Sequence, residues 1–368
     1  MARNDTKVLC KTPTPGKGGT RIPKWKYDAV RAASPSVPCG GFSSTAQAPR
    51  LYVDRSSPAQ RHGQGRPGHP RHYLPVMRRH TTSGLLAVQV LILGACAPQP
   101  AGDPLIEGYP VELCPSCPTW NAPHAPFRIF GNTFYVGTEG LASLLITSPE
   151  GHVLIDGGLP DTAPLILENI RALGFDIGDV KLILNSHAHS DHAGGLAALQ
   201  RASGARVGAV PPSSAVIRRG RSGPEDPQHG ELLDFPPVAT VEEFADGETI
   251  TLGSISLTPH LTPAHTPGGT TWAWSACEAE TCLNLVFADS QSPISATGYR
   301  YGERSDLASA EAGFVVLEEL PCDILVTPHP GASSFWERQE SPTGFVDPSA
   351  CRRYADSARR RLAERLKG

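Results

Sequence analysis

The stretch LNSHAHSDHAGG, residues 184–195, sets His187, His189, Asp191 and His192 within six positions, straight after the apolar run KLIL. Four side chains rich in lone pairs make a poor core and a good metal cage. Residues two apart on an extended chain point to the same side, so His187 and His189 can reach one ion from a strand end. Asp191 and His192 follow as the chain turns into a helix and point elsewhere, which suits a second ion beside the first. Gly194 and Gly195 carry no Cβ and let the backbone pass close to the site. Imidazole with one carboxylate suits zinc among the common ions, and three protein ligands leave a position open for water.

Two further histidines stand in matching contexts. His265 lies in TPAHTPGG and His329 in LVTPHPG, each after an apolar run and each flanked by turn residues. They bring the count to two sets of three. His124, His152 and His260 lack such contexts and are expected to be structural, as are Trp272 and Trp274, which alternate along one strand.

Around these residues the pattern is regular. FRIFGNTFYVG, LASLLITS and HVLIDGG read as strands, with SPEG a turn between the last two. DTAPLILENIRALG reads as a helix capped by Asp161 and ended by Gly174. VKLILN is a buried strand, a second helix is expected from Asp191 through AGGLAALQRASG, and ARVGAV is another strand. SGPEDPQHGELLDFPP is a long polar loop, of the kind a compact domain keeps for a site. VEEFADGETITLGSISLTPHLT gives two strands about a turn. A hairpin holding Cys277 and Cys282, the helix DLASAEAGFVVLEEL, the strand CDILVTPHP and the amphipathic helix DPSACRRYADSARRRLAERL complete the chain. Strands then helices, twice over, predict an α+β fold of two sheets packed face to face with helices outside.

Charge divides the chain. Residues 1–76 carry 13 Lys+Arg against 3 Asp+Glu, and residues 96–368 carry 18 against 33. The acidic part holds every motif above and repels polyanions, which argues against a nucleic-acid partner. Residues 1–76 are rich in Pro, Gly, Arg and His without helical or strand period, so they read as a disordered arm or as sequence upstream of the true start. The second reading is favoured by residues 77–96, which read as a secretory signal: Arg78 and Arg79, the apolar Gly84–Leu93, then small residues before Cys96. Leu-Gly-Ala-Cys also resembles a bacterial lipobox, leaving Cys96 either lipidated or removed. Residues 97–119 read as a linker and 120–368 as the domain, an exported monomer in the periplasm, soluble or lipid-anchored.

Six cysteines follow Cys96, an even number that fits disulfides in an oxidising compartment. Cys277 and Cys282 could face each other across their hairpin, and Cys322 with Cys351 could form a long-range staple. CPSC, residues 114–117, is a lone Cys-x-x-Cys, read as a local disulfide or two free thiols.

HAHSDHAGG, LTPAHTPGGTTW, FADSQS and TPHPG together resemble the metallo-β-lactamase superfamily, and within it the third subclass of class B β-lactamases, over about Trp120 to Leu366. The resemblance implies a four-layer αβ/βα sandwich with two zinc ions. His187, His189 and His265 would hold the first and Asp191, His192 and His329 the second. It also implies a Cys322–Cys351 disulfide. Other hydrolases of this fold place a metal-bridging aspartate where the strand LNLVFADS puts Ser290; Asp289 comes one residue early and would face the other side. A serine there marks the third subclass. The implied activity is zinc-dependent opening of the β-lactam amide of penicillins, cephalosporins and carbapenems, with Asp191 catalytic and Ser290 and Ser292 binding substrate. Thioester or acyl-lactone hydrolysis is the alternative.

Deleting residues 1–76 is therefore expected to leave activity and zinc content in a bacterial host unchanged. Metal analysis and turnover of the shortened protein check this, and a loss of either would count against it.

Overall fold

The computed structural model describes residues 102–302 and 306–367, all within the unit Ile92–Gly368. The arm 1–76, the signal 77–96 and Cys96 lie outside the described residues. Among those described, no helix is long and apolar enough to cross a membrane.

Seven strands make the first sheet, in chain order: β1 (Phe127–Phe130), β2 (Thr133–Tyr135), β3 (Leu144–Ile146), β4 (His152–Ile155), β5 (Val180–Leu184), β6 (Arg206–Ala209) and β7 (Val241–Glu243). β1 to β4 pair antiparallel and β4 to β7 parallel. The second sheet holds β8 (Ile250–Leu252), β9 (Ile255–Leu261), β10 (Thr270–Glu278), β11 (Thr281–Phe287) and β12 (Ile324–Val326) in the order β12-β11-β10-β9-β8. Only β11 and β12 run parallel there.

Strand period two builds the four layers. Leu144, Ile146, Val153, Ile155, Leu182 and Leu184 face the second sheet, where they meet Leu257, Trp272, Trp274, Leu285, Phe287, Ile324 and Val326. The residues between them, Leu145, Leu154 and Ile183, face outward onto helices α2 (Ala163–Ala172), α4 (Leu196–Ser203) and α5 (Ser213–Arg219). On the far side, Val286 and Leu325 pack against α6 (Asp306–Glu319) and α8 (Ala350–Arg365). Trp272 and Trp274 sit in the central core, their indole N–H groups donating to Asn185 O and Thr133 Oγ1.

Four local expectations change. Asp161 does not cap α2: it lies in the preceding 3₁₀ turn Pro160–Thr162, and its Oδ2 accepts from Asn121 Nδ2. FRIFGNTFYVG is a β1–β2 hairpin rather than one strand, turned at Gly131 with φ +55°. VEEFADGETITLGSISLTPHLT supplies three strands: β7 closes the first sheet and the β8–β9 hairpin opens the second. The helix expected from Asp191 breaks into α3 (Ser190–Ala193) and α4 at the glycine pair. A Cβ at Gly195 would lie 2.2 Å from Gly157 O, so the backbones of 157–160 and 194–195 pack with no room for a side chain.

Cys277 and Cys282 are opposite residues of the β10–β11 ladder and are disulfide-bonded, as are Cys322 with Cys351 and Cys114 with Cys117. The Cys322–Cys351 bond fastens the segment before β12 to α8 across 29 residues. Cys322→Ser with Cys351→Ser is expected to lower the unfolding free energy by about 2–4 kcal/mol without loss of bound metal. A urea titration beside metal analysis measures this, and an unchanged midpoint would contradict it.

Candidate active site

The candidate centre lies at one rim of the sandwich, where the loops after β5, β9 and β12 meet. β5 ends at Leu184, and Asn185 to His189 follow it; the next residues form α3. His265 follows β9, and His329 follows β12. One potential ligand atom each from His187, His189 and His265 lies within 4.8 Å of the others, and the same holds for His187, Asp191 and His192. Asp191 Oδ2 is 3.2 Å from His192 Nε2 and 3.2 Å from His329 Nε2, and the two ring nitrogens are 3.3 Å apart. Ligands at tetrahedral corners about 2.0–2.1 Å from an ion sit roughly 3.3 Å from one another, so this second set already has the spacing a zinc ion requires.

Behind the cluster a set of acceptors fixes the rings. His187 Nδ1 lies 2.7 Å from Asp289 Oδ1. His189 Nε2 donates to Asp226 Oδ2 at 2.9 Å. His265 Nδ1 donates to Ser292 O and His329 Nδ1 to Gly140 O. Each of these bonds occupies one nitrogen and leaves the other aimed inward, the outer arrangement that metal-binding histidines use. His192 Nδ1 is 3.7 Å from Asp156 Oδ2, too long for a hydrogen bond. His187 Nε2 is buried and has no hydrogen-bond partner among the described residues, as expected of an atom that ligates metal.

The charge states agree. Burial, then the neighbouring His192 and His189, push His187 well below the ordinary imidazole range, and burial takes His265 down to about 3. Burial also lowers His192. It opposes ionisation of Asp191, but His192 and His329 overcome it and hold the carboxyl well below the usual carboxylate range. Neutral imidazoles and an ionised carboxylate are the forms a metal binds. The residues present thus fit a metal.

Two supporting aspartates carry no local sequence signal. Asp156, buried with φ +61°, accepts from Ser186 N, Ser186 Oγ and Asn185 Nδ2 and so pins the start of the histidine loop. Asp226 belongs to the long polar loop after α5, 37 residues from its partner His189. Asp289 also lies behind the cluster, turned onto His187, while Ser290 and Ser292 line the cavity in front. That cavity, of about 210 Å³, is further lined by Leu113, Trp120, Gln228, Glu231 and Ile294, among others, and among the described residues by no lysine or arginine. His124 stacks on Trp336, His152 packs edge-on to Phe175, and His260 lies on β9, all away from the cluster.

A four-layer sandwich carrying a buried His/Asp cluster at its rim defines a class of metal-dependent hydrolases. The sequence profile of the metallo-β-lactamase superfamily matches residues 137–273. Among solved structures, the Rm3 metallo-β-lactamase is 51% identical with a TM-score of 0.68, the match covering 69% of this chain and 98% of that one. MEM-A1, a subclass B3 metallo-β-lactamase isolated from a soil metagenome library, is 45% identical with a TM-score of 0.66, over 67% and 97%. The N-acyl homoserine lactonase AttM of Agrobacterium fabrum is 28% identical over 34% of this chain. The chain spans about half the length of the curated relatives it matches, 43% and 55% for the first two. The chain belongs to the metallo-β-lactamase superfamily, as a hydrolase whose likeness runs to subclass B3.

Asp226→Ala would leave His189 Nε2 without its acceptor. Metal affinity is expected to fall about 10- to 100-fold, measured by competition with a chromophoric chelator. Unchanged affinity would remove Asp226 from the support of the site.

Proposed function

We propose that this enzyme opens the β-lactam amide bond of penicillins, cephalosporins and carbapenems, and so confers antibiotic resistance, with two zinc ions per chain. His187, His189 and His265 hold the first and Asp191, His192 and His329 the second. When bound, zinc polarises a carbonyl and brings the pKa of water from its bulk value to roughly 7. Asp191, kept ionised by His192 and His329, would orient the attacking water by accepting a hydrogen bond from it. Ser290 and Ser292 at the cavity wall donate to the substrate carboxylate, a task that falls to hydroxyls because, among the described residues, no lysine or arginine lines the cavity. No serine is acylated.

One observation carries this reading over other hydrolytic activities of the fold. The residue that enters the cavity after β11 is Ser290, and the only carboxylate nearby on that segment, Asp289, is turned back onto His187. A bridging carboxylate would add negative charge between the ions and narrow the space for a bicyclic lactam. Likeness to the lactonase AttM supports the alternative, acyl-lactone or thioester hydrolysis. Export to the periplasm, soluble or anchored through Cys96, is part of the proposal and is supported by the three disulfides.

The zinc-loaded enzyme is expected to open a carbapenem or cephalosporin far faster than a glutathione thioester or an acyl-homoserine lactone. Chelation should abolish turnover, and serine-directed lactamase inhibitors should not affect it. Ser290→Asp should lose lactam turnover by at least about tenfold, a barrier change of about 1.4 kcal/mol. A wild-type preference for the thioester or the lactone would replace this reading with the alternative.

A further inference from the structure

The CPSC segment has no part in the chemistry above, yet it forms a wall of the same cavity. Leu113 and Cys114 line it, from a stretch that the sequence alone assigns to a linker. Among the described residues five large hydrophobic side chains are exposed, and two of them, Leu113 at 63% and Ile294 at 55%, converge on this one cavity from separate segments. Single apolar side chains scattered over a surface need no explanation. Two that line one cavity beside the His/Asp cluster are different, because each leaves apolar area in water that a ligand in that cavity could cover.

Both are held in place. Leu113 N and Cys114 N donate to Pro110 O, closing a turn. The Cys114–Cys117 disulfide then ties that turn to Cys117, which is buried with Leu141 and Leu159. Tyr109, just upstream, donates its hydroxyl to Asp234 O in the long polar loop. On the other side Tyr301 donates to Ile294 O, and Ala296 N donates to Pro227 O. A fixed apolar side chain contributes more to selectivity than a mobile one, because less conformational entropy is lost when a ligand covers it.

We propose that Leu113, set in position by the Cys114–Cys117 disulfide, is a specificity-determining residue, and that with Ile294 it receives an aryl or bulky alkyl substituent of the substrate. The proposal rests on the lactam reading above and adds to it a preferred substituent class and a role for the Cys-x-x-Cys motif. Neither residue touches the reacting bond, so the effect belongs to binding.

The test compares one penicillin nucleus bearing a phenylacetamido or a formamido side chain, with the full-length zinc-loaded enzyme. In Leu113→Ala the preference for the aryl compound, as a ratio of kcat/KM values, should fall about five- to tenfold, through KM. The affinity for the hydrolysed aryl product, measured by calorimetry, should fall by the same factor. Cys114→Ser with Cys117→Ser should shift the ratio the same way with Leu113 intact, and Val111→Ala, outside the cavity, should not. An unchanged ratio in Leu113→Ala, or an equal loss for both compounds, overturns the proposal while leaving the lactamase reading in place. A double cysteine variant that keeps the wild-type ratio overturns the role of the disulfide. A wild-type enzyme that opens neither compound removes the lactam reading and this inference with it.

Discussion

Five imidazoles and a carboxylate share one small volume here because four of the rings are held from behind. In water such groups would turn to solvent; here burial lowers the pKa of His187, His192 and His265, while Asp191 raises that of His329 against its burial, and the acceptors around the rings decide which nitrogen faces inward. Asp289, Asp226, Ser292 O and Gly140 O do this for four of the five rings. These acceptors come from three separate stretches of chain, around Gly140, Asp226 and Asp289–Ser292. The sandwich exists, from the standpoint of the site, to bring those stretches to one rim and hold them there.

That dependence explains what could and could not be read in advance. His187, His189, Asp191 and His192 announce themselves because strand spacing and local crowding suffice, and His265 and His329 because turn residues frame them after apolar runs. The two sheets were legible in the same way, since Leu144/Ile146 and Leu285/Phe287 obey a period of two that needs no tertiary information. Asp226 was hidden: its only signal was membership of a long polar loop, and its partner is 37 residues away. Asp156 stands just past a strand in HVLIDGG, and its role lies in the hydrogen bonds it accepts from Asn185 and Ser186, which no local pattern encodes.

The local departures from the sequence pattern have different causes. Helical period continues smoothly through HAGGLAAL, but the backbone of 157–160 approaches so closely at Gly194–Gly195 that the helix breaks there. Inside FRIFGNTFYVG, Gly131 and Asn132 turn the chain between apolar residues that continue the strand pattern on either side. Strand β7 shows the reverse: its residues read correctly as extended, but nothing local says that it joins the first sheet rather than the second. Sheet membership is a property of long-range pairing, and single-sequence periodicity carries none of it.

The division of ligands between sheets has a further consequence. His187 to His192 follow the first sheet's β5, whereas His265 and His329 follow β9 and β12 of the second. Each of the two proposed zinc sets draws one histidine from the second sheet, so either set would be complete only once the two sheets have docked over their shared core. An ion held there would clasp the seam, and its binding free energy would add to the cohesion between the halves. Loss of the metal would then loosen the sandwich at that rim as well as remove activity.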